Sequence, residues 1–321
     1  MRSMLIFLLL LSAAPALAVD GVLEINHTCA VQTGCFAGDS PGYPVFIDGS
    51  AGRSYRLTSD LIVPNENADG ILFNTSDIGI DLNNFAIIGA GCVGSVTNCT
   101  PTSGTGSGIE RNSALNRGVS VKNGSVTGMG RFGVFIGDQA HITNLSVRWN
   151  REDGINTSSS STVSGNTAYQ NGRHGINVFT GSTVSGNTAN ENGSFGITTI
   201  SSSTISGNTA NQNGARGIEA ADGSVISDNT ARDNGTLGIR CSSGCTVSGN
   251  AAFSNGSHGI VALFGSTVQG NTVTLNGDYG LSLGGASYRE NTMETNTLGT
   301  VNGFDAVNAG GNVCNGSLTC P

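Results

Sequence analysis

The chain has little charge, few aromatic rings and almost no lysine. Charged residues make up 11% of its 321 positions and aromatics 6%, there is one tryptophan, and Lys122 is the only lysine. Ordinary soluble domains carry about a quarter charged residues. Long-chain helix formers are scarce, which argues against a helical bundle or helical repeat. The formal net charge is −8. Nucleic acid and anionic membrane both require a basic footprint, so neither is expected as a partner. After the first 18 residues no apolar run is long enough to cross a bilayer, and no transmembrane segment is expected. What is abundant is glycine, at 49 positions, with Asn, Ser and Thr and with Val and Ile between them. That composition fits either disorder or a β-solenoid of many turns, and periodicity decides between them.

The N-terminus reads as a cleaved secretion signal. Arg2 supplies the positive charge, Leu5 to Leu11 an uncharged apolar core, and Ala16-Leu17-Ala18 a cleavage site. Residues 1–18 are therefore expected to be a signal peptide, and the protein to be secreted, periplasmic or held at the cell surface. The eight cysteines fall into four close pairs, Cys29 with Cys35, Cys92 with Cys99, Cys241 with Cys245 and Cys314 with Cys320. An even count behind a signal peptide reads as disulfides, each closing a short loop. The paired C-x-x-C spacing of a zinc site is absent. No metal and no cofactor are expected.

From Ser164 the sequence rewrites itself every 21 residues, as in SGNTAYQNGRHGINVFTGSTV and SGNTANENGSFGITTISSSTI. Noisier copies begin at Thr143 and Lys122. A fixed period of this size means a stacked solenoid. The leucine ladder of leucine-rich repeats is missing, as is the six-residue beat of a left-handed β-helix. The remaining solution is an all-β coil, a single-stranded right-handed parallel β-helix with three short strands per rung. The strands are Gly-Ile-x, Ser-Thr-Val-Ser and a brief Thr-Ala.

Each column then has a physical reason. Ile155, Ile176, Ile197, Ile218, Ile239, Ile260 and Leu281 form one inward ladder, and Val163, Val184, Ile205, Ile226, Val247 and Val268 a second. Each rung buries little by itself, so stability is a sum over neighbours. Ser161, Ser182, Ser203, Ser224 and Ser266 form a small inward column in which Cys245 takes one place, with Cys241 across from it. Asn166 and its repeats sit at a tight corner, where Asn tolerates the left-handed conformation and its amide reaches the same residue one rung away. The Asn-Gly pairs beginning at Asn171-Gly172 mark another turn. Roughly ten rungs at about 4.8 Å give a rod about 45–50 Å long, whose open ends need caps. Residues 19–69 are expected as the N-terminal cap, 70–291 as the coil with an inserted loop at 89–108, and 292–321 as the C-terminal cap, with disulfides stapling both caps.

The S-G-N-T-A-x-x-N-G-x-x-G-I signature resembles the right-handed parallel β-helix repeats of the pectin lyase-like superfamily, over roughly residues 70 to 300. The resemblance implies the fold. It leaves function open, because that superfamily holds pectate lyases, polygalacturonases, alginate epimerases and lyases, and secreted proteins without known activity. The enzymes' motifs are absent: there is no Asp-Asp and no Asp-Pro-His, and His174 and His258 precede Gly but follow Arg173 and Ser257.

Grooves in this fold lie along the first strand and the turn before it. The turn column reads Phe132, Asp153, His174, Phe195, Arg216, Leu237, His258 and Tyr279, all expected to face outward. The richest patch gathers Arg131, Arg151, Glu152, Asp153, Asn156, Arg173, His174 and Asn177 as candidate ligand-binding residues. Arginines could hold a uronate carboxylate bidentately, and His174 with Asp153 and Arg173 are the candidates for acid–base work. The competing structural reading is a set of exposed charges pairing across rungs, as Glu219 and Arg240 would. Three functions follow. The leading expectation is a non-catalytic glycan-binding or surface scaffold protein whose partner is an acidic polysaccharide. The second is a lyase, epimerase or hydrolase on uronic-acid-rich glycans. The third is ice binding, through outward Thr162, Thr183, Thr204, Thr246 and Thr267 beside Ser164, Ser185, Ser206, Ser248 and Gln269.

Overall fold

The computed structural model describes residues 21–92, 99, 101 and 103–320. The expected signal peptide at residues 1–18 and the side chain of Cys92, hence the expected Cys92–Cys99 staple, fall outside them. The described chain is an all-β parallel solenoid. One sheet stacks twelve parallel strands, from Val45–Ile47 to Gly299–Phe304, one per turn. The other two strands of each turn belong to a second sheet of 23 strands. Their two stacks fuse where Ser120–Thr127 and His141–Arg148 each run through the corner as one long strand.

Parallel pairing starts inside the segment expected as a cap. Leu23–Ile25 pairs with Ser54–Leu57, and Val45–Ile47 with Ile71–Phe73. The short helix His27–Gln32, N-capped by the Asn26 side chain, belongs to this first turn. At the other end Val307–Asn308 and Val313–Cys314 still add to the coil. The disulfides Cys29–Cys35, Cys241–Cys245 and Cys314–Cys320 are all formed.

The apolar columns point inward as the periodicity requires. The Ile155-to-Leu281 ladder and the Val163-to-Val268 ladder are fully buried, and a third, Ala168, Ala189, Ala210, Ala231, Ala252 and Val273, fills the remaining side. The serine column is inward too: the Ser161 N–H donates to Ser182 Oγ, and the Cys245 N–H to Ser266 Oγ, both at 3.1 Å.

The corner asparagines act differently from the sequence reading. The left-handed residue is the one before, Gly165, Gly186, Gly207 or Asp228, with φ of 66°, 63°, 63° and 57°. That twist turns the following Asn inward. Asn187 Oδ1 then accepts both the N–H and the amide of Asn166, at 2.9 and 3.0 Å, and the pattern repeats upward. The Asn-Gly pairs give a second ladder rather than a simple turn: Asn150, Asn171, Asn192, Asn213 and their successors are buried and bonded in the same way. Here too the left-handed residue precedes the Asn, as Trp149, Gln170 or Glu191. The ladder also explains the glycine before each Ile. A Cβ at Gly175 would meet Asn192 Nδ2 at 2.6 Å and Gly196 O at 2.7 Å.

Candidate functional site

The register of the first-strand sheet aligns the residues that precede each Gly-Ile, or its equivalent, into one column. Backbone bonds from Gly70 to Ser107, Gly108 to Phe132, Gly133 to Asp153, Gly154 to His174 and Gly175 to Phe195, at 2.9–3.1 Å, fix its order as Asp69, Ser107, Phe132, Asp153, His174, Phe195. Beside it runs the outward strand column Leu72, Glu110, Phe135, Asn156, Asn177. All eight expected binding residues lie on or beside these columns, within a few rungs.

Three of them are buried rather than exposed as expected. Asp153 is fully buried, and His174 and Asn156 are 7% and 8% exposed. Asp153 Oδ2 accepts from the amides of Asn156 and Asn177 at 2.8 and 3.0 Å, and Oδ1 accepts the His174 backbone N–H at 3.2 Å. The His174 ring makes no hydrogen bond to Asp153. Its Nδ1 accepts the Phe195 N–H at 3.2 Å, and the ring stacks on Phe195 at 4.8 Å. Burial pushes the His174 pKa down, with Asp153 opposing and Arg173 adding to the shift. With Nδ1 accepting the Phe195 N–H, the bond pattern corresponds to the Nε2-protonated form of the ring. The structure does not join Asp153 and His174 as an acid–base couple.

The arginines are engaged as well. Arg131 faces Glu110 at 3.7 Å and Glu152 at 3.9 Å. Arg151 binds Glu152 at 2.9 Å and the Gly130 carbonyl at 2.6 Å. Arg173 lies 3.9 Å from Asp153. Further along, Glu219 is clasped by Arg216 and Arg240 at 2.6 and 2.5 Å, the cross-rung pairing expected of it.

Four residues of this region escaped the sequence reading: Asp69, Ser107, Glu110 and Arg111. Ser107 is fully buried and holds two carboxyl groups, its N–H donating to Asp69 Oδ1 at 2.7 Å and its hydroxyl to Glu110 Oε2 at 2.5 Å. Burial pushes the Asp69 carboxyl up to about 6; the Ser107 N–H pulls against this, Glu110 adds to it and Arg131 opposes it. Arg111 lies over the Phe135 ring at 4.5 Å and donates to Ser158 Oγ, while Arg131 covers Phe132 at 4.4 Å. Phe132 and Phe135, 4.9 Å apart, form an apolar floor between the Asp69–Glu110 pair and Asp153. The signal was present: Asp69-Gly70-Ile71 and Ser107-Gly108-Ile109 repeat the x-Gly-Ile pattern of His174-Gly175-Ile176, but the insert between them hides the period. Among the described residues, no three His, Cys, Asp or Glu side chains converge to hold a metal ion.

On the second sheet the outward Thr162, Thr183 and Thr204 stack in register, but exposed Val225 stands in the next place before Thr246 and Thr267. Among the described residues no helix is long and apolar enough to cross a membrane.

The family described as right handed beta helix region matches residues 66–223 and, in an overlapping match, 198–298. No curated protein matches the chain. Solved structures do. The A-module of mannuronan C-5 epimerase AlgE6 from Azotobacter vinelandii is 17% identical, with 91% of this chain and 88% of that one covered and a TM-score of 0.60. The Dettilon tailspike protein is 14% identical over 90% of this chain and 70% of its own, with a TM-score of 0.57. The catalytic unit of a GH87 α-1,3-glucanase from Streptomyces thermodiastaticus strain HF3-3 is 15% identical over 93% and 64%, with a TM-score of 0.54. At these identities the likeness is one of fold, shared by enzymes and by a tailspike. With twelve parallel turns and a family match over most of them, this chain belongs to the right-handed β-helix family and is related in fold to the pectin lyase-like proteins.

Proposed function

We propose that the protein is secreted and cleaves glycosidic bonds in a polysaccharide lying along the first-strand groove, with Asp69 and Glu110 as the reacting pair. This takes up the hydrolase among the activities of the second expected function, without its uronic-acid substrate, over the binding scaffold. The observation that carries it is the Ser107 clasp. One buried residue fixes two carboxyl groups side by side, and burial keeps the Asp69 proton in place up to about pH 6. Paired carboxyl groups whose environments differ are the arrangement glycoside cleavage needs. Asp69 gives its proton to the leaving glycosidic oxygen. Glu110, positioned by Ser107 and by Arg131, takes a proton from the water that attacks the anomeric carbon, so that the new C–O bond forms as the bond to the leaving oxygen breaks. Two of the structural neighbours carry names of polysaccharide-acting enzymes, which raises the weight of catalysis on this fold without assigning a substrate.

The test is release of new saturated reducing ends from a panel of neutral glucans and uronans; unsaturated ends would mark an elimination and overturn the proposed hydrolysis. Asp69→Asn is expected to lower turnover by about 10²–10⁴-fold, the usual contribution of general acid catalysis. Retention of a polysaccharide without any product from any member of the panel would return the protein to the binding reading.

A further inference from the structure

The most fully enclosed charge on the groove belongs to Asp153, and its bonds have a consequence for what the groove accepts. A carboxylate only accepts hydrogen bonds. Asn156 and Asn177 both donate to Asp153 Oδ2, so both turn their NH2 groups inward and their Oδ1 atoms the other way. The two residues are register partners on the outward column, and their amide oxygens therefore belong to successive rungs, about 4.8 Å apart. Neither Oδ1 has a hydrogen-bond partner among the described residues. The result is a pair of acceptors of fixed orientation, backed by a buried negative charge. Arg131 and Arg151 pair with Glu110 and Glu152, and Arg173 lies 3.9 Å from Asp153 and offsets part of its charge. Two amide oxygens with no donor between them attract hydroxyl donors and offer nothing to a carboxylate, which only accepts.

We propose that Asn156 and Asn177 form a subsite for the hydroxyl groups of a neutral sugar, and that Asp153 is the positioning residue that holds them as acceptors. This departs from the acidic glycan expected from the sequence, and it rests on the reading that the groove takes a polysaccharide. Asp153 does not touch the ligand. It acts by denying the two amides their other orientation.

The test uses binding and turnover together, on gluco-, manno- and xylo-oligosaccharides as neutral probes and oligogalacturonate and oligomannuronate as acidic ones. The wild type is expected to bind one of the neutral series and to exclude the acidic ones. Asp153→Asn keeps the shape but has a single oxygen; the backbone N–H of His174 cannot turn away and takes it, so the new NH2 faces Asn156 and Asn177, and at least one of them turns its Oδ1 inward and its NH2 outward. Neutral binding should weaken about tenfold, the scale of one hydrogen bond, and the neutral-to-acidic preference should shift toward the acidic probes. KM should rise with kcat little changed, a split that a merely structural role would not give. Asn177→Ala, at a half-buried position, removes one acceptor, leaves Asp153 its bonds from Asn156 and the His174 N–H, and carries the test if Asp153→Asn folds poorly; it should lose neutral affinity by a similar factor. Acidic probes binding better than neutral ones to the wild type would overturn the subsite, as would a preference unchanged in both variants. If neutral probes are cleaved and Asp69→Asn abolishes this while both variants behave as wild type, the subsite fails and the proposed activity stands. If no probe is bound or cleaved, both fall.

Discussion

The rungs from Ser164 to Gln269 and the rungs from Asp69 to Asn177 use one backbone in two ways. In the later rungs the inward asparagines are satisfied by their own copies: Asn187 binds Asn208, Asn208 binds Asn229, and Asn213 binds Asn234. On the early groove each polar group is satisfied by something different. Ser107 serves Asp69 and Glu110, Asp153 serves two amides and a backbone N–H, and Arg131 lies between two glutamates. Identical partners stack without specifying what stands outside. Unlike partners fix particular side chains at one height on the rod, and that is where chemistry becomes possible.

The comparison is broken most sharply in the ladder. Asn213 Oδ1 accepts the N–H and the amide of Asn192, both at 3.0 Å, and its own amide donates to Ala189 O and Asn234 Oδ1. Asn213→Ala strands two donors and an acceptor in the core. Each orphaned group costs about 1–3 kcal/mol, so a loss of about 3 kcal/mol is expected by denaturant titration, near the upper end for single substitutions. Asn177→Ala, on the groove, should cost under about 1 kcal/mol, because Asp153 Oδ2 loses one bond but keeps the Asn156 amide at 2.8 Å. Equal losses for the two would mean that the ladder does not hold the rungs together.

The early region should show itself through pH. The Asp69 carboxyl is raised from 3.8 to about 6 by burial, so the folded protein binds this proton more tightly than the unfolded chain. Its contribution to stability is fully present below about pH 4 and is lost as pH rises through about 6. The wild-type melting temperature, compared with that of Asp69→Asn, should therefore fall across that window. The group is partly exposed, so solvent screening reduces the effect. A difference that grows with rising pH instead would mean that Asp69 is held as a carboxylate, and the proposed acid would be lost with it.

The fold was legible because the repeat is its own alignment. Ile155 to Leu281 and Val163 to Val268 could be read as inward ladders from period alone, and the structure buries them all. Burial of Asp153 and His174 was not legible, because the position before Gly-Ile also carries Arg216 and Leu237, and nothing in the period says which of these side chains a neighbour will cover. The Asn column showed its contact but not its conformation. The left-handed residue sits one place earlier and is Gly at most corners but Asp at Asp228. Asp69 and Glu110 were hidden by distance along the chain: the insert puts 38 residues between Asp69 and Ser107, where the later rungs have 21 between partners.

The smallest effect comes from a column that is irregular without being functional. Position three of the first strand points inward and holds Thr157, Val178, Thr199, Ala220, Cys241 and Ala262 in register. The Oγ1 atoms of Thr157 and Thr199 are buried with no hydrogen-bond partner. Thr199 stands between Val178 and Ala220, both fully or almost fully buried, so its hydroxyl adds no bond and only the penalty of burial. Thr199→Val keeps the branched shape and removes the orphan, and a gain of about 1 kcal/mol is expected from the shift in denaturation midpoint. Variation in this column then marks tolerance, whereas variation on the groove marks partners. A loss of stability in Thr199→Val would place this hydroxyl among the satisfied groups, and irregularity alone would no longer separate a tolerated position from a selected one.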